Sequence, residues 1–424
     1  MTDSREKQIH RTRPERLSSR AQRGICFFHL LSPRAQRGIC FFHLLSSRAQ
    51  RGICFSHLLS SRAQRGICFS HLLSSRAQRG ISQFGFLISV ICHLAAGPAL
   101  AQSAGAIPLA ENIQALGTTT RVLMIGAHPD DEDTQLIAWL ARGRHVETAY
   151  LSLTRGDGGQ NLIGNELGPM LGMIRTEELL AARRIDGGRQ YFTRAYDFGF
   201  SKSYEETLRR WPHDSILKDM VMIVRAFKPH VIVDMWSGTP QDGHGHHQYA
   251  GVLGREVFDA AADSARWPTT LGAPWTVSKF YRGRRANGNL QVNVGEYDPL
   301  TGRTFSEIAT VSRSQHRSQG QGELPQPGRR LDGVQLEVSR VSNATAPESG
   351  LFAGLDSSWK RFASIALPDS ARRALDSLVI AERAVVASTD LLNPSKTVPA
   401  LASYLRLATR AERGLACNAC AGAR

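Results

Sequence analysis

From Arg121 onward the chain alternates uninterrupted apolar runs with stretches of helical periodicity, a pattern that predicts a parallel sheet covered by helices. RVLMIGAH (121–128) is apolar throughout and ends on a small-residue turn, as a strand buried on both faces requires. Residues 132–143 place Leu136, Ile137, Trp139 and Leu140 on one helical face and stop at Gly143. HVETAYLSLT (145–154) reads as a second strand, followed by the glycine-rich loop RGDGGQN. A helix is predicted over 169–187, a short strand within 190–200, an amphipathic helix over 215–227 and a buried strand at HVIVDMW (230–236). Another helix starts near His247 and runs to Ala262, and SKFYRG (278–283) suggests a further strand. The predicted fold class is α/β, a mostly parallel sheet with helices on both faces. Ligand sites in such sheets lie beyond the carboxyl ends of the strands. The AHPDD turn, the RGDGGQN loop and the HGHH segment all follow predicted strands and so fall on one rim.

The flanking segments read differently. Residues 321–356, rich in Gly, Pro, Gln and Ser, are expected to be a linker or extended loop. Residues 357–424 form a small, mainly helical C-terminal segment with apolar spacing over Ala371–Val385 and Ala400–Ala411. It is small for an independent domain and is expected to be the truncated start of an accessory domain. Residues 1–81 carry the phrase RAQRGI at Arg20, Arg34, Arg48, Arg62 and Arg76, a period of 14 residues. The copies are nearly identical, which fits a duplicated nucleotide tract translated upstream of the true start, or a disordered leader, better than a C-x-x-H metal array. Residues 82–101 then have the layout of a secretory signal peptide, with cleavage expected after Ala101. Use of that signal would make the protein secreted or periplasmic, with no stable membrane insertion after cleavage.

Charge adds little once it is located. The net +15 and pI near 10 suggest nucleic acid at first. Residues 1–101 hold 15 Lys+Arg and 3 Asp+Glu, which leaves 37 and 34 for the rest of the chain. The body is close to balanced and has no basic stripe, so nucleic acid is not an expected partner. No cysteine lies between Cys92 and Cys417, so the body has no disulfide framework, and the Cys417/Cys420 pair carries little weight.

The candidate chemistry sits in two clusters. Ala127-His128-Pro129-Asp130-Asp131-Glu132 sets an imidazole and three carboxylates on the turn after the first strand. Asp131 could alternatively cap the next helix. The second cluster is Asp242-Gly-His244-Gly-His246-His247, three histidines in four positions in a body that holds eight. Imidazole and carboxylate donors suit zinc, and a catalytic site needs three protein ligands with one position open. His128, Asp131 and His247 can supply those ligands, with Zn2+ or another divalent metal as the expected cofactor. Asp130 is then placed to act as a base, and His244 to stabilise an oxyanion or protonate a leaving amine. His316, in the Ser-Arg-Ser-Gln-His run far along the chain, could close over the pocket, but reads first as a solvated loop histidine.

AHPDDE after the first strand, with a later H-x-x-H on the same rim, resembles the PIG-L/LmbE de-N-acetylase family. The resemblance covers residues 119–320, including RGDGGQN, the Arg175/Glu178 pair and SRSQHRSQGQG (312–322). It implies a Rossmann-like core, zinc on His128, Asp131 and His247, Asp130 as general base and His244 as its partner. It also implies a small-molecule or glycoconjugate substrate bearing an N-acetyl amino sugar. Arg175 would contact substrate, or else be a surface arginine paired with Glu178. A metal-dependent amidase or esterase, and a carbohydrate-binding module, are the alternatives. The family's second motif often reads H-P-D-H, and His246 replaces its aspartate here. Asp242, standing where the family often has tyrosine, or Asp234 is expected to supply the missing supporting carboxylate.

Overall fold

The computed structural model describes residues 105–341, 348–364 and 367–414, together with the dipeptides 22–23, 36–37, 50–51 and 64–65. Two compact units divide at Gly105/Ala106. In the first, the four Gln-Arg dipeptides pair as parallel two-residue strands in register, Gln22 opposite Gln36 and so on. The signal-like segment and the Cys417/Cys420 pair lie outside the described residues.

The second unit begins with helix α1 (Ala106–Ala115) and continues as an α/β sandwich. Strand β1 (Arg121–Gly126) leads through the AHPDD turn to α2 (Thr134–Ala138), whose helical path continues as a π-turn over Trp139–Gly143. Next come β2 (Glu147–Ser152), α3 (Pro169–Asp186), β3 (Arg189–Phe192), α4 (Tyr204–Arg210), α5 (His213–Phe227) and β4 (Val231–Asp234). Then follow α6 (Gly245–Ala260), β5 (Lys279–Arg282), β6 (Leu290–Asn293), α7 (Phe305–Arg313) and β7 (Leu331–Ser339). Two final helices, α8 (Asp369–Ala387) and α9 (Val398–Gly414), complete the order. The sheet runs β6-β7-β5-β4-β1-β2-β3. The five strands from β5 to β3 are parallel, and β7 and β6 extend one edge in antiparallel fashion.

Alternation along β1 distributes its side chains between two cores. Leu123, Ile125 and Ala127 pack with α5 and α6, among them Leu217, Val221, Leu253 and Val257. Val122 and Met124 face the other way, into Leu136, Ile137 and Leu140, with Ile308 of α7 in the same core. Both faces of the parallel strands are thus covered, and this is why their sequences read as apolar runs rather than alternations.

Two expectations are corrected. The supposed linker 321–356 contains β7, which pairs with both β5 and β6, so the sheet extends past residue 320. The helical C-terminal segment belongs to the same compact unit as the sheet. Thr119 donates to the Ser357 carbonyl (2.7 Å), Trp359 Nε1 to Leu116 O (2.7 Å), and Lys279 at the start of β5 forms a fully buried ion pair with Glu348 (2.7 Å). These contacts join the amino ends of the parallel strands, the rim opposite the AHPDD turn. No helix among the described residues is long and apolar enough to cross a membrane.

Candidate metal centre

The turn after β1 is fixed by hydrogen bonds that leave His128 Nδ1 and Asp131 Oδ1 facing the histidine segment. Asp133 caps α2, its Oδ1 accepting from the Gln135 and Leu136 N–H groups (3.0 and 3.1 Å). Asp131 is therefore free of capping. Its Oδ2 instead accepts from the N–H groups of Ala127 and His128 (both 2.8 Å) and from Trp236 Nε1 (3.0 Å). Asp131 Oδ1 lies 3.6 Å from His247 Nε2, and His128 Nδ1 lies 3.1 Å from that same nitrogen.

The histidine segment enters at the start of α6. Asp242 closes the preceding loop, its carboxylate accepting from the Ser237 and Gly238 N–H groups (3.1 and 2.8 Å). His247 Nδ1 donates to the Asp242 carbonyl (3.3 Å), and its ring stacks on Trp236 with centroids 3.5 Å apart at 6°. Those contacts orient Nε2 toward the other two donors. His244 is the N-cap of α6. Its Nδ1 accepts from the His246 N–H (3.1 Å), so its ring proton sits on Nε2. Phe200 packs edge-on against the His244 ring at 4.9 Å.

His246 is fully buried, stacked on Trp211 (4.5 Å, 21°), with Nδ1 3.0 Å from His128 Nε2. On the far side of His128 from Asp131, the Asp197 carboxylate lies 3.8 Å from His246 Nδ1 and 3.9 Å from His128 Nε2. The expectation that Asp242 or Asp234 supplies the supporting carboxylate is thus corrected. Asp242 offers only its carbonyl, to His247, while Asp234 pairs with Arg282 (3.1 Å) and is pushed up to about 7 by burial.

Arg175 is buried, and neither surface pairing with Glu178 nor open exposure describes it. Its Nη2 donates to Asp130 Oδ1 (2.6 Å) and its Nη1 to the Gly156 carbonyl (3.1 Å). Gly156 lies in the RGDGGQN loop at φ +70°, and a Cβ there would sit 2.3 Å from Arg175 Nη1. Glu178 instead receives the N–H and hydroxyl of Ser318 (both 2.7 Å). The Tyr150 hydroxyl crosses under Gly126 to donate to the His128 carbonyl (2.5 Å). Arg313 Nη1 reaches the carbonyls of Asp130 (2.5 Å) and Glu132 (3.2 Å), and Arg284 Nη2 reaches the Glu132 carbonyl (2.5 Å).

The expectation for His316 also fails, because this residue is fully buried, with Nε2 2.7 Å from Glu132 Oε1. Arg183 Nη2 meets the same Glu132 oxygen (3.2 Å) and Asp186 Oδ2 (2.5 Å).

Electrostatics divide the imidazoles: burial opposes protonation of His128, yet Asp131 beside it holds that ring above the usual imidazole range, whereas burial keeps His247 below it. Burial works against ionisation of Asp131, yet the adjoining His247 and His128 hold it well below the usual carboxylate range. Burial, with the neighbouring imidazoles second, lowers His246 to about 2 and His244 to about 3, so both rings are neutral.

Among the described residues, two donor sets have atoms within 4.8 Å of one another: His128/Asp131/His247 and His128/His244/His246. The first fits an open catalytic metal site. It contains the anionic ligand, the back of each ligand is tied to protein groups, and Asp130 stands beside it. In the second, His244 Nδ1 is occupied by a backbone N–H and His246 is sealed in aromatic packing.

Residues 123–258, which hold this site, match the family of GlcNAc-PI de-N-acetylases, PIG-L. A deacetylase of 1D-myo-inositol 2-acetamido-2-deoxy-alpha-D-glucopyranoside from Saccharopolyspora erythraea is 32% identical over 176 residues, 38% of this chain and 63% of that protein. The chain thus spans less than two thirds of that relative's length. Among solved structures, N,N'-diacetylchitobiose deacetylase from Pyrococcus horikoshii is 22% identical, covering 47% of this chain and 70% of its own, with a TM-score of 0.37. The 4-carboxy-2-hydroxymuconate hydratase GalB from Pseudomonas putida is 14% identical, covering 54% of this chain and 100% of its own, with a TM-score of 0.39. Residues 123–258 thus carry a match to the PIG-L de-N-acetylase family, and that segment is the part of the chain similar to these deacetylases.

Proposed function

We propose that the protein is a zinc-dependent hydrolase that removes the acetyl group from an N-acetyl amino sugar, free or within a glycoconjugate. The convergence of His128 Nδ1, Asp131 Oδ1 and His247 Nε2 beside Asp130 carries this reading. The deacetylase activity of the Saccharopolyspora relative supports the substrate class. Zinc held by those three residues would supply Lewis-acid activation of water and of the acetamide carbonyl.

The chain's own groups divide the remaining work. Asp130 accepts the proton of the attacking water and passes it to the departing amine. Arg175 takes only Oδ1 of Asp130, which fixes the carboxylate and leaves Oδ2 for the proton. Arg175 acts through Asp130 rather than by touching the sugar, since only 3% of its surface is exposed. His244, neutral with its proton on Nε2, donates a hydrogen bond to the oxygen that becomes negative as the tetrahedral intermediate forms. A neutral imidazole suits this role better than that of acid to the amine.

Metal analysis of the purified chain tests the first half, and absence of stoichiometric divalent metal would overturn the catalytic reading. Asp130→Asn is expected to keep the metal and lose acetate release from N-acetylated glycans; persistent turnover would remove Asp130 as the base. Export through the segment 82–101 belongs to the same proposal. It is checked by sequencing the amino terminus of the mature protein, which is expected to begin at Gln102.

A further inference from the structure

The segment SRSQHRSQ (312–319) lies far along the chain from every residue of the proposed mechanism, yet it reaches the catalytic turn from the inside. His316 Nε2 and Arg183 Nη2 converge on Glu132 Oε1, one residue beyond the ligand Asp131 and two beyond Asp130. All three side chains are buried, and Asp186, which holds Arg183, also accepts from the Ser312 hydroxyl (2.6 Å). Beyond His316, Ser318 holds Glu178 of α3, and Gln319 Nε2 donates to Gln160 O of the glycine loop (2.7 Å). One short segment thereby ties together the turn, the helix bearing Arg175 and the loop that receives Arg175.

Stability does not explain the arrangement. A buried ionic cluster is often no more stable than apolar packing of similar volume. Here Glu132 Oε2, Arg183 Nη1 and His316 Nδ1 have no protein partner among the described residues. What the cluster supplies is position. The Asp130 and Glu132 carbonyls are held by Arg313 and Arg284 and the Asp131 N–H by the His128 carbonyl (3.3 Å), and the Glu132 side chain anchors the same turn from its buried side. We propose that His316 is a positioning residue that, by clamping Glu132 against Arg183, sets the orientation of the ligand Asp131 and the base Asp130. This inference rests on the metal-site reading above.

The test uses the full chain with zinc and cobalt as probes, so it does not depend on knowing the substrate. His316→Leu removes the clamp at similar volume, while His316→Gln keeps a donor within reach of Glu132. His316→Leu is expected to weaken zinc binding, measured against a chromophoric chelator, by about 10- to 100-fold and to alter the visible spectrum of the cobalt form. His316→Gln is expected to restore most of both. Glu348→Gln, which breaks a buried ion pair on the opposite rim, controls for lost stability and is expected to leave zinc affinity and the cobalt spectrum unchanged.

Zinc affinity of His316→Leu equal to that of the wild type, or losses in His316→Leu and His316→Gln that merely track unfolding as in Glu348→Gln, would overturn the proposal. Should His316→Leu not fold, Glu132→Gln is read in the same way: weaker zinc binding supports the clamp and unchanged binding overturns it. A wild-type chain that takes up no zinc would remove the functional reading itself, an outcome distinct from a wild type and variants that bind equally.

Discussion

At the scale of single residues, the site depends on side chains that hold the ligands as much as on the ligands themselves. Trp236 does two jobs: its indole face carries the His247 ring, and its N–H donates to Asp131 Oδ2. Trp236→Phe is expected to keep an aromatic support and lose the donor, weakening metal affinity by about tenfold, whereas Trp236→Ala should lose nearer 100-fold. Isothermal titration of zinc into the apo variants checks the order, and equal affinities would show that neither contact matters. The convergence of His128, Asp131 and His247 as a candidate metal site was legible in the sequence because imidazoles and carboxylates clustered after strands have few structural uses. The sequence also left open whether Asp131 was a cap, a question answered by the backbone, where Asp133 takes that place. His316, Asp197 and Arg175 could not be read in this way. Their meaning lies in partners far along the chain, Glu132 for His316 and Asp130 for Arg175, and spacing within one segment carries no trace of such pairing. His246 was visible only as a departure from the family pattern, and its burial against Trp211 required the fold.

At the scale of elements, the parallel strands were legible because burial on both faces leaves an unbroken apolar run. The antiparallel edge was not. β7 buries only the adjacent pair Gly333 and Val334, so it shows neither an apolar run nor an alternation, and within a stretch rich in turn formers it reads as linker. α7 did carry a signal that went unused: Thr304 and Glu307 form a capping box, a pattern of S/T-x-x-E before an apolar stripe. Gly126 is a further element-level device, since a Cβ there would lie 2.3 Å from the Tyr150 hydroxyl that holds the His128 carbonyl. Gly126→Ala is therefore expected to destabilise the fold by about 1–3 kcal/mol. Chemical denaturation measures this, and an unchanged midpoint would show that β1 and β2 separate freely. The β7 edge has its own pH signature. Burial, with the neighbouring Asp133 second, pushes Asp332 up to about 9, so its carboxyl is protonated in the fold and ionised in the unfolded chain at neutral pH. Its contribution to stability is full below the unfolded value near 4 and is lost as pH rises toward 9. Asp332→Asn should thus raise the melting temperature relative to the wild type by an increment that grows from pH 4 to pH 9. A constant difference across that range would contradict the assignment.

At the scale of the whole molecule, the second unit separates the work of its two rims. The proposed ligands, the proposed base and the glycine loop gather beyond the carboxyl ends of the parallel strands, while the segment leading to α8 docks at their amino ends through Ser357, Trp359 and Glu348. The sequence placed the helices of that segment correctly but not their attachment, because the anchor is a lone lysine at the start of β5 with a partner 69 residues away. Lys279 and Glu348 are almost wholly buried, and the Tyr281 hydroxyl also approaches Glu348 (3.3 Å). Removing one charge leaves the other buried without a counter-ion, which typically costs about 3–5 kcal/mol. Glu348→Gln keeps the shape of the side chain, so its loss of stability, read by denaturant unfolding, reports the charge itself. Metal affinity should not change, because the pair touches neither the AHPDD turn nor α6. Docking of the C-terminal segment would then be a matter of holding the unit together, and the opposite rim would keep its geometry until the molecule unfolds. Loss of zinc affinity in proportion to lost stability, measured well below the unfolding transition, would instead mean that the two rims are coupled through β5 and β4.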